Sequence, residues 1–243
     1  MNRAPITEAL IDIHVEPRAG LSFAELREAF SALDFGYYFK NPISQGTFEF
    51  KLPSHGEQPH TTADAAQIGL RLHSMDEKYV VQCRLAGFTL SRLAPYEAWP
   101  TLAQETKRVW SIYRDRLGPT RVTRAATRFI NNLRLPLEPG ESFQNYLEKF
   151  ADVPNEAPQD MASFFQRFQL VDTPGNAFVN LTVALDSTPR EGPTPVILDI
   201  DAFAFRNLSP ESEDLWIILD QLRQLKNRCF FGSLTERAAE LYE

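Results

Sequence analysis

The chain has 243 residues, 43% hydrophobic and 12% aromatic, enough apolar material for one large core or two packed halves, so disorder is not the default expectation. A formal net charge of −7, from 32 acidic against 25 basic residues, opposes broad attraction to phosphate backbones or anionic lipid, so neither nucleic acid nor a membrane is an expected partner. Cys83 and Cys229 stand singly in apolar stretches and read as small buried hydrophobes, which fits a reducing cytoplasm.

In chain order, residues 5–15 predict a strand that starts without a preceding signal-peptide core. Ser22 caps a helix over 23–30, and Glu25 completes a capping box. A turn-rich stretch marked by Pro42, Gly46, Pro53, Gly56 and Pro59 surrounds two strands, 47–52 and 67–73, with His55 and His60 in loop. Residues 79–90 read as one long strand and 96–117 as an amphipathic helix stopped by Gly118-Pro119. The second half runs through a strand at 121–135, a helix at 142–150, strands at 163–171, 178–185 and 196–205, and a helix at 211–228. A last short helix begins near Ser233, where Ser-Leu-Thr-Glu has the capping-box form.

The two halves share residues as well as element order. Ser22, Phe23, Glu28 and Phe30 match Ser142, Phe143, Glu148 and Phe150 at one constant offset, and 88–95 parallels 203–210. The expected architecture is α+β: two tandem β-α-β(3-4)-α repeats, 1–118 and 119–243, packed as one pseudo-symmetric unit. Their antiparallel sheets carry helices on one face only. This order resembles the fold of the TATA-box-binding protein and the helix-grip group, a likeness of topology that does not fix function.

Strand alternation assigns the faces. Val81, Cys83, Leu85 and Gly87, like Val196, Leu198, Ile200 and Ala202, are expected beneath the helices. The open face then receives Gln82, Arg84, Ala86, Phe88 and Leu90 from one strand and Ile197, Asp199, Asp201, Phe203 and Phe205 from its counterpart. The first strands add Ile6, Glu8, Leu10, Asp12 and His14, and Arg124, Ala126, Arg128, Ile130, Asn132 and Arg134.

On that face Phe88, Phe203 and Phe205 are candidate apolar anchors, and Arg124, Arg128 and Asn132 candidate polar readers, since guanidinium forks suit carboxylates and phosphates. The leading expectation is a non-enzymatic binding or protein-interaction module, taking a protein partner or a small anionic ligand, with a homodimer as the simplest case. The alternative is an enzyme on a phosphorylated or nucleotide substrate, in which Asp199 and Asp201 hold a metal and Arg128 contacts the anion. Against it stands ion pairing within the sheet, Glu8 with Arg84 and Arg128 with Asp199, worth under about 1 kcal/mol per pair. No HExxH, CxxC, GxGxxG, Walker or GxSxG motif is present, so no cofactor and no catalytic residue is expected. Arg223, Lys226, Asn227 and Arg228 read as a solvated basic helix end, and Trp99, Trp110 and Trp216 as packing residues.

The segments Ala4-Pro5-Ile6-Thr7-Glu8-Ala9-Leu10-Ile11-Asp12-Ile13, 88–99, Arg128-Phe129-Ile130-Asn131-Asn132 and 219–236 together resemble a family of sporadically distributed, uncharacterised bacterial proteins. The resemblance spans nearly the whole chain. It implies no activity, cofactor or catalytic residue.

Overall fold

A computed structural model describes residues 4–31, 35–51, 60–138, 140–149, 153–154, 156–158, 161–185 and 192–242, the side chains of 47–51 and 60–64 apart. The chain runs β1 (Ile6–Glu16), α1 (Phe23–Ser31), β2 (Tyr37–Lys51), β3 (His60–Ser74), β4 (Tyr79–Arg84), β5 (Gly87–Leu93), α2 (Trp99–Leu117) and β6 (Arg121–Leu135). A 3-10 turn (Phe143–Asn145) follows, then β7 (Phe165–Asp172), β8 (Ala177–Leu185), β9 (Thr194–Leu208), α3 (Asp214–Phe231) and α4 (Glu236–Glu240). The nine strands among the described residues form one open sheet in the order β2-β3-β4-β5-β1-β6-β9-β8-β7, every neighbouring pair antiparallel. Among the described residues no helix is long and apolar enough to cross a membrane.

Helices cover one face. α2 lies on β1 and β5, α3 on β6, β8 and β9, and α1 on β3 beside α2. Beneath them the alternating rows Ile11, Ile13, Val81, Leu90, Leu198 and Ile200 are fully buried. Each such side chain contributes about 1.5–3 kcal/mol, and a one-residue slip would turn its whole row to water, so burial fixes the register. Local chemistry fixes the helix ends. Ser22 Oγ accepts from the Glu25 amide at 3.3 Å while Glu25 Oε2 accepts from the Ser22 amide at 3.0 Å, a reciprocal capping box. Gly118 closes α2 in the left-handed region (φ 58°), its N–H bonded to the Arg114 carbonyl.

Several expectations need correction. Residues 79–90 are two strands: the chain turns at Leu85-Ala86, and β5 pairs back on β4 with Phe88 opposite Cys83. Opposed residues share a face, so Phe88 and Leu90 lie under the helices and not on the open side. A register shift between Ile6 and Glu8 likewise sends Ile6 to the helix side, opposite Asn131. β2 runs through Pro42 and Gly46, which an edge strand tolerates because one side of its ladder is unpaired. His60 opens β3 rather than lying in loop, and His55 falls outside the described residues.

The helix expected at 142–150 stops after the 3-10 turn, although Ser142 Oγ does accept from the Gln144 amide. There the chain pairs with its own end instead: Leu147 bridges Leu234, and the Thr235 amide donates to the Tyr146 carbonyl. α4 is capped by Thr235, not Ser233, whose hydroxyl donates to the Cys229 carbonyl. At the far end of α3, Lys226 is buried, not solvated.

Candidate functional site

The polar centre of the open face is assembled by strand register. β1 brings Asp12 and His14, β4 Arg84, β5 Thr89, β6 Arg124 and Arg128, and β9 Asp199 and Asp201. Asp12 is the hub. Its Oδ1 accepts from Arg84 Nη2 and Thr89 Oγ1, each at 2.6 Å, and its Oδ2 accepts from Arg124 Nη1 at 2.8 Å, with His14 Nε2 at 2.9 Å. Burial alone, with 9% of the residue exposed, raises a carboxyl pKa. The His14 hydrogen bond, the Arg84 charge and the Thr89 hydroxyl overcome that and hold Asp12 well below its ordinary value.

Gly87 makes the Arg84 contact possible. A Cβ there would stand 3.0 Å from Arg84 Nη2 and 3.1 Å from the Ile13 carbonyl, across the path the guanidinium takes to Asp12.

The network continues along β6 and β9. Arg124 Nη2 lies 3.2 Å from Asp201 Oδ2, which also accepts from Asn180 Nδ2 at 3.1 Å. Arg128 grips Asp199 with both prongs, Nε to Oδ1 at 2.8 Å and Nη2 to Oδ2 at 2.6 Å. That expected ion pair is present. The Glu8–Arg84 pair is not, because the β4–β5 turn sets Gly87, and so Arg84, level with His14, whereas Glu8 is level with Leu93.

Beside the charges lies an aromatic patch. Phe203 is 6% exposed, stacked on Phe178 at 5.4 Å between ring centroids, with the Arg124 guanidinium 4.5 Å from its ring. Phe205 is 61% exposed and meets Phe203 and Phe178 edge-on. Val171, exposed on the edge strand β7, sits opposite Phe178 and extends the patch to the sheet margin.

The structure therefore gathers Arg124, Phe203 and Phe205, with Arg128 adjacent. Asn132 is on the open side, but its Oδ1 is buried without a donor among the described residues. Phe88 is removed altogether: fully buried, it packs at 5.8 Å on Trp110 and 5.7 Å on Tyr113 of α2. Sequence reasoning missed the role of Asp12. The signal for it was Gly87, a glycine within the apparent long strand, where the missing side chain suits a close approach. Asp199 and Asp201 are each held by arginine, and among the described residues no three His, Cys, Asp or Glu side chains gather as a cation site. No family model matches the chain, and no curated protein matches it.

Proposed function

We propose that the chain is a non-enzymatic interaction module whose open sheet face docks a partner protein, in the simplest case a second copy of itself. The observation that carries this reading is Phe205, an aromatic ring 61% exposed in a patch with Phe178, Phe203 and Val171 on a sheet face that no described helix covers. An exposed aromatic ring in an apolar patch beside an unpaired edge strand suits a protein contact. The neighbouring arginines are already matched by aspartates, which favours a partner that brings its own balanced polar rim over a free anion. The same matching weighs against the metal-assisted enzyme, since Asp199 and Asp201 are taken up by Arg128 and Arg124.

We infer further that 1–118 and 119–243 descend from one duplicated unit with a TATA-box-binding-protein or helix-grip architecture. Supporting this, β1 and β6 meet at the centre of the sheet, and each is flanked by the last strand of its own half, β5 and β9. Kinship with the uncharacterised bacterial family and a cytoplasmic setting belong to the same proposal.

Sedimentation of wild type and Phe205→Glu over a range of concentrations tests self-docking. A dimer that the substitution converts to folded monomer is expected; wild type monomeric throughout would overturn the self-docking case.

A further inference from the structure

On the helix side of the sheet, a cavity of about 280 Å³ opens between the start of α2, the last turns of α3 and the β1–β6 seam. Its apolar walls include Ile6, Trp99, Phe129 and Phe230, and its polar lining includes Asn131, Arg223, Lys226 and Asn227. Two independent features there favour negative charge. The first is the uncapped start of α2: Ala98 makes no side-chain cap and no acidic residue lies in the first turn. Helix starts of this kind carry partial positive charge and present N–H donors.

The second is Lys226, 7% exposed and lining the same cavity. Among the described residues its Nζ has neither ion pair nor hydrogen bond. It stands 3.8 Å from the Phe129 ring centroid, a contact that offsets part of the cost of burying an ammonium and supplies no counter-charge. Burial, then the nearby Arg223 charge, bring its pKa down to about 8, so it is still protonated at neutral pH. The lining's single carboxylate, Glu97, is turned away to Arg92 Nη2 at 2.8 Å, and Arg223 has a loose ion pair with Asp220 at 3.9 Å and lies 5.9 Å from the Trp99 ring centroid.

We propose that this cavity binds the oxyanion of a small organic acid, a carboxylate or phosphate head on Lys226 and the start of α2 with an apolar body against the aromatic walls. The walls select against a bare inorganic ion, which would leave them in water. The site lies on the opposite face from the docking patch, so its failure leaves the interaction reading standing.

Calorimetric titration of the full chain with inorganic phosphate, benzoate and phenyl phosphate tests it. One of the two aromatic anions should bind more tightly than inorganic phosphate, and the tighter one identifies the head group. Lys226→Met should weaken that binding by about tenfold or more while the melting temperature without ligand stays level or rises. Asn227→Asp, which places a carboxylate inside the lining, should abolish binding in a folded protein, and it decides the matter should Lys226→Met fail to fold. Three results would overturn the proposal: no binding of any probe at millimolar concentration, neither aromatic anion bound more tightly than inorganic phosphate, or unchanged affinity in the variants.

Discussion

Asp12 and Lys226 are both buried charges near the β1–β6 seam, on opposite sides of the sheet, and the fold treats them differently. Asp12 receives Arg84, Arg124, His14 and Thr89, so every lone-pair direction of its carboxylate is met from within the chain. Lys226 has an aromatic face and no carboxylate. Desolvating an ion costs several kcal/mol, and a desolvated cation–π contact returns about 2 kcal/mol or somewhat more without supplying a counter-charge. A matched buried charge is part of the framework, and an unmatched one marks a place where something from outside completes the structure.

The comparison breaks first at Asp12. Asp12→Ala leaves Arg84 and Arg124 partly buried without their shared carboxylate and should destabilise the protein by about 3–5 kcal/mol, read from the urea midpoint and slope. The sign with pH follows from its lowered pKa. A carboxyl depressed below 3.8 stabilises the fold fully above that pH and loses its contribution as pH falls towards the folded value. Wild type should therefore weaken on acidification below about pH 4, and Asp12→Ala should show a flatter acid limb. Parallel acid limbs would show that Asp12 is no hub.

Gly87→Ala tests the route by which Arg84 arrives. The added methyl would crowd both the guanidinium and the Ile13 carbonyl, so one must move, at about 1–3 kcal/mol. The same substitution at Gly20, where nothing stands near the new Cβ but φ is 77°, should act through backbone strain alone and leave the Arg84–Asp12 contact intact.

Where a side chain's surroundings follow from period alone, the sequence was readable. β6 alternates from Arg124 to Leu135, past a register shift between Val122 and Arg124, and its boundaries and the faces expected from Arg124 onward agree with the sequence, as do the faces of β9. Residues 79–90 misled because the turn at Leu85-Ala86 carries no Asn, Asp or Pro; a hidden hairpin reverses the parity of everything after it, and so displaced Phe88. The stop after Ser142 depends on Leu147 meeting Leu234, a contact between distant segments that no local pattern announces. Lys226 was legible and overlooked: Leu215, Leu219, Leu222 and Lys226 follow one helical stripe, which places the lysine in the buried row despite its charge.

The smallest effect is expected at Arg128 and Asp199, which sharpens the contrast because their geometry is as good as any around Asp12. The pair is bidentate at 2.8 and 2.6 Å, yet the Arg128 side chain is 44% exposed, so water and salt screen it. A double-mutant cycle with Arg128→Ala and Asp199→Asn should give a coupling energy under about 1 kcal/mol, shrinking further in molar salt. Coupling of about 3 kcal/mol, indifferent to salt, would instead place this pair with the buried framework. Wild type and Asp199→Asn also decide the metal reading. If Asp199 serves a divalent cation, magnesium or manganese should raise the wild-type melting temperature and leave Asp199→Asn unmoved; if it serves Arg128, as the two-pronged contact indicates, the cations should shift neither protein.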